Sequence, residues 1–328
     1  MKPRALVTGA TGFLGGALAR RLRDMGWDVT GAGRNTAAGE RLDGQGICFL
    51  RLDLAGAEAV GAACAGQEYV FHCAARSSPW GRRADFLRDN VQATANVAAA
   101  CGKHVVRRLV HVSTPSIYFE ERDRFDLTEA SAPARHPIND YARTKGMAEG
   151  IVNAAGCETV ILRPRAVFGP GDTSLFPRLL RAAGRGGFPL IGPGDPLVEV
   201  TWVGNVVDAL IAAAVSPPAA GRAFNITNGE PWPREKLLSH LFRAAGLPWK
   251  PRRIPLRKAR WAAMALEAGS RLFTGARWEP PLTRYSAGVL AFSQTFDLTA
   301  ARTVLDYKPR VSVAEGLQGF AEWWRGQQ

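Results

Sequence analysis

Within the segment Asn139-Asp-Tyr141-Ala-Arg-Thr-Lys145-Gly-Met-Ala-Glu149, two residues have the types and spacing for proton transfer. The segment reads as a helix, and residues at i and i+4 share a helical face, so Tyr141 and Lys145 sit side by side. A free phenol titrates near 10, too high for neutral-pH chemistry. An ammonium about 5 Å away, at an effective dielectric near 20, favours the phenolate by roughly 3 kcal/mol and brings it near working pH. A second polar cluster follows the apolar run Arg108-Leu-Val-His-Val112, where Ser113, Thr114, Ser116 and Tyr118 surround a proline. Any of these hydroxyls could orient a reacting oxygen, and residue type alone does not rank them.

The third feature is a glycine loop. Arg4-Ala-Leu-Val-Thr8 runs into Gly9-Ala10-Thr11-Gly12-Phe13-Leu14-Gly15 and then an alanine- and leucine-rich stretch of helical period. Glycines there let the backbone turn tightly and approach a pyrophosphate, whose charge the free N–H groups and dipole of the helix start would meet. The spacing is GxxGxxG, and no Gly-Lys-Ser/Thr follows, which excludes a kinase-type phosphate loop. The next strand ends Gly-Ala-Gly-Arg34-Asn. An acid there would hold the ribose hydroxyls of NAD, whereas Arg34 suits a 2′-phosphate, so NADP(H) is favoured over NAD(H). Asp53 and Leu54 are placed to contact adenine. The small residues Cys73, Ala74 and Ala75 would let a cofactor lie against the sheet edge.

The elements that must position these groups are legible as alternation. Strands are expected at 4–8, 27–32, 47–51, 68–73, 107–112 and 158–162, with helices at about 13–25, 56–64, 83–102 and 139–154. Strand, helix, strand in repetition predicts an α/β fold, a Rossmann-type doubly wound parallel sheet, because parallel connections need crossovers. Beyond Pro164 glycine and proline accumulate. A cofactor-binding domain of 1–165 plus about 201–228 is therefore expected, with a smaller substrate-binding region of about 166–200 and 229–328.

The 328 residues are 46% hydrophobic and can fill a large core without staples. Five scattered cysteines, without CxxC or a histidine at ligand spacing, point to no metal site and to a reducing cytoplasm. The start MKPRALVTGATG lacks the apolar core of a signal peptide, and no window reaches the roughly 18 apolar residues of a spanning helix. A net charge of +13 is spread along the chain, without a zinc-finger or RNA-recognition pattern, so no nucleic-acid partner is expected.

Taken together, TGATGFLG, HCAA, VSTPSIY, YARTK and LRPRAVFGPGD resemble the extended short-chain dehydrogenase/reductase family over nearly the whole chain. ITNGEPWP, EPPLTR and FDLTAARTVLDYKP are most similar to its 3β-hydroxysteroid dehydrogenase branch, and within it to the bacterial 2-alkyl-3-oxoalkanoate reductases of olefin synthesis. The resemblance implies a hydride-transferring oxidoreductase with Thr114 as hydroxyl donor, Tyr141 as acid/base and Lys145 on the nicotinamide ribose. It further implies Arg163, Pro164 and Val167 at the nicotinamide end and Asn90 in the helix beneath the cofactor. Threonine at 114 departs from the commoner serine, and Cys73 stands where asparagine is frequent.

Apolar residues nominate a pocket for a large hydrophobic ketone or alcohol, of steroid or long-chain 3-oxo acid type: Trp80, Phe168, Phe176 and Trp202, with Ser78 beside them. The segment 260–275, with a partly apolar face beside basic residues, could close over such a molecule or touch a membrane surface. A homodimer through helices 83–102 and 139–154 is a further expectation. Nucleotide-sugar epimerases or dehydratases, and non-catalytic NADP-sensing regulators, are the rival classes; the tyrosine–lysine pair speaks against the latter.

Overall fold

The structure, a computed structural model, describes residues 2–182 and 187–327. Seven strands form one parallel sheet: β1 (Arg4–Thr8), β2 (Asp28–Gly33), β3 (Cys48–Arg51), β4 (Tyr69–His72), β5 (Arg108–Val112), β6 (Glu158–Pro164) and β7 (Arg222–Ile226). Their spatial order is β7-β6-β5-β4-β1-β2-β3. Successive residues along a strand point to opposite faces, and both faces are covered. Val7, Phe71 and Val110 pack with Leu18 and Leu22 of helix α1 (Phe13–Asp24) on one side. Leu6, Val70 and Leu109 pack with Val60 of α3 (Ala57–Cys64) and Val97 of α4 (Ala93–Lys103) on the other.

The six expected strands are all present, their ends displaced by at most two residues. Two helical readings need correction. A helix α2 (Thr36–Asp43), not anticipated, follows β2, capped by Asn35, whose side chain accepts from the Ala38 N–H at 3.1 Å. The run 83–102 is not one regular helix: a turn at Arg83–Phe86 leads into a π-helical stretch, Leu87–Gln92, before α4. The next helix, α5 (Asp140–Asn153), starts at Asn139, whose side chain accepts from the Ala142 N–H at 2.8 Å.

Strand order reverses between β1 and β4, which opens a crevice at their carboxyl ends where doubly wound sheets place ligands. Beyond the sheet lies a second apolar cluster. It joins Phe168, Phe176 and Leu190 to Leu237 and Leu241 of α7 (Arg234–Ala244) and to Phe320 of the carboxyl-terminal helix Val313–Arg325, while α6 (Val203–Val215) covers the sheet itself. Segment 260–275 falls largely in α8 (Leu256–Thr274), whose buried residues are Ala259, Ala263, Glu267 and Ser270. Its bulky apolar residues Trp261, Met264, Leu272 and Phe273 face outward. No helix among the described residues is long and apolar enough to cross a membrane.

Candidate active site

A cavity of about 1290 Å³ runs from the glycine loop, along the carboxyl ends of β1, β4, β5 and β6, into the region beyond the sheet. Gly9, Thr11, Gly12, Phe13, Leu14 and Gly15 form its first wall. The glycines are required by close approach. A Cβ on Gly9 would lie 2.8 Å from the Ala74 backbone, and one on Gly15 would lie 2.4 Å from the Gly9 carbonyl oxygen. Gly12 caps α1 without any side-chain hydrogen bond, so the first-turn N–H groups stay available to an anion. Tight backbone, free amides and a helix start together fit the pyrophosphate of a dinucleotide.

Arg34 lines this cavity at the end of β2, more than half exposed, with one long contact to Asp89 at 3.4 Å. Asp53 and Leu54 also line it. Asp53 accepts from the Ala55 N–H at 3.1 Å and pairs with Arg88, an arginine that residue pattern did not single out. Cys73, Ala74 and Ala75 flank the crevice, and burial pushes the Cys73 thiol up to about 12, which leaves it inert.

Deeper in, Thr114, Tyr141 and Lys145 all line the same stretch of the cavity. Thr114 follows β5 and caps the short 3-10 turn Pro115–Tyr118, accepting from the Ser116 N–H at 3.2 Å. Its hydroxyl donates to Ser116 Oγ at 3.0 Å and also interacts with the Tyr141 phenol, favouring the anion. Ser116 Oγ in turn lies 2.7 Å from the hydroxyl of Tyr285 on α9 (Arg284–Ala291). Tyr285 is thus a site residue that sequence reasoning missed; the preceding EPPLTR motif carried the signal that this segment mattered. Ser113 also borders the cavity, but its hydroxyl is committed to Glu149, to which it donates at 2.5 Å.

The electrostatics differ from the expected pairing. Lys145 Nζ donates to the Val112 carbonyl at 2.6 Å and lies 3.0 Å from His111 Nε2, so the ammonium is drawn to the end of β5. Burial lowers its pKa to about 8. Burial likewise raises the Tyr141 phenol above its ordinary value, with Thr114 opposing and Tyr285 adding to the rise, and Lys145 does not offset it. The phenol is therefore protonated across the neutral range. Burial and the nearby ammonium hold His111 well below its usual value, and the same causes bring His72 to about 3. Neutral His111 accepts from the lysine, and this histidine was hidden in a run that otherwise reads as apolar.

Pro164 and Val167 line the cavity at the end of β6. Six expected contacts do not. Arg163 is turned behind the sheet edge, where its guanidinium holds Glu149 at 2.8 and 2.6 Å and touches the Tyr118 hydroxyl. Asn90 supports the site from below, bonding Thr144 at 3.0 Å and the Arg76 backbone on both sides of its amide. Phe168 and Trp202 stack on the Val313–Arg325 helix, where Gly316 leaves them room: a Cβ there would lie 2.9 Å from each ring. Trp80 donates to Ser270 Oγ at 3.0 Å and clamps α8, and Ser78 donates to Glu279 at 3.0 Å. Phe176 does face the cavity, positioned by Asp172, whose carboxylate accepts from the N–H groups of Ser174, Leu175 and Phe176 at 2.8–3.0 Å.

Comparison with known proteins agrees with this geometry. The model of the NAD dependent epimerase/dehydratase family matches residues 5–227. A 2-alkyl-3-oxoalkanoate reductase of Stenotrophomonas maltophilia is 38% identical over 324 residues, covering 96% of this chain and 97% of its own. A protein of the same name from Shewanella oneidensis is 35% identical over 329 residues, covering 96% and 84%. Among solved structures, MoeE5 in complex with UDP-glucuronic acid and NAD superposes with a TM-score of 0.74 at 26% identity, covering 99% of this chain and 100% of that one.

Proposed function

The chain belongs to the NAD-dependent epimerase/dehydratase family, the extended short-chain dehydrogenases/reductases, and is an oxidoreductase of hydroxy and keto carbons; on that premise we propose that it reduces the ketone of a long-chain 2-alkyl-3-oxo acid with NADPH. The observation that carries the reading is the junction within one cavity of a polar group, Thr114, Tyr141 and Lys145, with an apolar wall from Leu175, Phe176, Leu179, Leu237, Leu238 and Leu290. A polar end fixes the reacting oxygen while an apolar end receives the chains.

The glycine loop, Arg34, Pro164 and Val167 would hold the cofactor, whose contribution is the hydride delivered to the carbonyl carbon. The protein's part is acid catalysis. Thr114 and Tyr141 donate hydrogen bonds to the carbonyl oxygen, and the phenol then yields its proton as the alkoxide forms. A phenol kept protonated by burial is the form that reduction consumes, and the Thr114 hydroxyl, which favours the anion, supports the phenolate left behind.

The test follows NADPH consumption by the purified protein with a 2-alkyl-3-oxo acid or a steroid ketone and, because epimerisation consumes no NADPH, follows a UDP-sugar incubated with NAD+ by chromatography of the product. Fastest turnover of the oxo acid is expected; conversion of the UDP-sugar alone would establish the second reading, favoured by the likeness to MoeE5. Turnover of none would make the chain a dinucleotide-binding regulator. Cofactor choice is read separately. Arg34→Ala should weaken NADPH binding by about tenfold, an exposed charge-assisted contact being lost, and leave NADH binding unchanged. Equal NADPH affinity in parent and variant would remove the 2′-phosphate from Arg34.

A further inference from the structure

Arg165 carries a guanidinium that this fold leaves without a counterpart. The residue is 6% exposed, lies in the cavity wall, and its Nε has no hydrogen-bond partner. Among the described residues no carboxylate comes within 4 Å of it. The guanidinium groups of the other buried arginines are engaged: Arg108 and Arg163 pair with Glu158 and Glu149, and Arg234, whose Nε is also unpartnered, donates from its two terminal nitrogens to the carbonyls of Ile191, Leu290 and Gly194. The acid nearest in effect, Glu199, is engaged elsewhere, accepting from Thr227 and from the Phe296 N–H at 2.9 Å. A buried charge without a partner costs folding energy, so one retained in a cavity marks a place where an anion arrives.

The backbone fixes where that place is. β5 and β6 are adjacent, with Val112 paired to Leu162; extending that register sets Pro164 opposite Thr114 and Arg165 one residue beyond, at the ends of strands that run about 4.8 Å apart. The chain is held there on both sides: the Arg165 N–H donates to Ile226, and its carbonyl accepts from Thr201 Oγ1 at 2.5 Å. Ala166 then turns through a left-handed φ of 44°, a conformation that an alanine keeps only when its surroundings impose it. In a 3-oxo acid the carboxylate carbon is two bonds from the carbonyl carbon. An anion that close to the reacting oxygen is within reach of a guanidinium carried by the adjacent strand end.

We propose that Arg165 is the carboxylate-binding residue of the substrate site, selecting 3-oxo or 3-hydroxy acids over the corresponding neutral ketones and alcohols. The assignment rests on the oxo-acid reading above. It makes the substrate a two-ended ligand, with the oxygen at C3 on Thr114 and Tyr141 and the carboxylate on the guanidinium. The 2-alkyl and main chains then point toward Leu237 and Leu238.

The stable 2-alkyl-3-hydroxy acid and its methyl ester make the test, oxidised by the whole protein with NADP+ as the electron acceptor. The C3 hydrogen leaves as hydride to the nicotinamide, and the hydroxyl proton passes to the Tyr141 phenolate, the form that an alkaline assay supplies. Wild-type protein should favour the acid over the ester by on the order of 10- to 100-fold in kcat/KM. Arg165→Gln should abolish that preference by slowing the acid while ester turnover and NADP+ affinity hold, and Arg165→Lys should keep part of it. Were Arg165→Gln not to fold, the wild-type ratio and the lysine variant decide. A preference that survives in Arg165→Gln, an equal loss on acid and ester, or a loss of NADP+ affinity overturns the assignment. Equal wild-type turnover of acid and ester overturns it while sparing the reductase reading; oxidation of neither overturns both.

Discussion

Tyr141→Phe is expected to lower kcat/KM for ketone reduction by about 10³-fold, within the range for loss of a positioned general acid, with NADPH affinity unchanged. The ring stays and only the hydroxyl goes, so packing against the cavity wall is kept. The companion variant Thr114→Ala should cost about 10²-fold, as does loss of one donor to a developing oxyanion, while Thr114→Ser should retain much of the activity because it keeps the hydroxyl. Ser113→Ala should leave turnover far less affected, since that hydroxyl is already engaged by Glu149. Steady-state rates with a cofactor titration on each variant check the set. A Tyr141→Phe protein within tenfold of the parent would move the proton donor to Tyr285, the other phenol of the hydroxyl chain Thr114, Ser116, Tyr285.

The parts of this site that could be read from sequence are those fixed by local rules. The glycine loop is set by backbone closeness, Tyr141 and Lys145 by one helical turn, and the strand ends by doubly buried apolar runs. What escaped depends on contacts distant in sequence. Helix α2 was hidden by Gly39, a poor helix residue that is there because the Phe49 ring would lie 2.1 Å from any Cβ. The π-helical stretch has no hydrophobic period to betray it. Trp80, Phe168 and Trp202 were assigned to the pocket because aromatic residues mark burial, but burial against another helix and burial against a ligand have the same composition. Arg165 and Tyr285 gave the reverse case, polar residues whose place in a cavity follows only from neighbouring strands and a helix some 170 residues downstream of the strand they meet. Lys145 shows the limit of spacing arguments. The i and i+4 relation put it beside Tyr141, yet its Nζ is held by His111 and Val112.

The largest loss of stability is expected from Glu149→Gln. Glu149 lies two helical turns beyond Tyr141 and one beyond Lys145, on the face of α5 that meets the sheet. Its carboxylate takes both arms of Arg163 at 2.8 and 2.6 Å and the Ser113 hydroxyl at 2.5 Å, all within the protein. It also supports the Lys145 charge that burial opposes. Neutralising it leaves the Arg163 guanidinium uncompensated against the Tyr118 ring, with its centre 5.2 Å from the ring centroid, and such an orphaned buried charge costs about 3–5 kcal/mol. Chemical denaturation would show this as a lower midpoint at unchanged slope. The double variant Glu149→Leu with Arg163→Met should recover most of the loss, because apolar groups of similar volume replace a buried ion pair at little cost. A double variant no more stable than Glu149→Gln would mean that the pair is needed for its hydrogen bonds to Ser113 and Tyr118, which fix the turn carrying Thr114, and not for charge balance alone. In that case the two strand ends that present Thr114 and Arg165 are aligned by the same buried network, and activity should fall in the double variant even where its fold is retained.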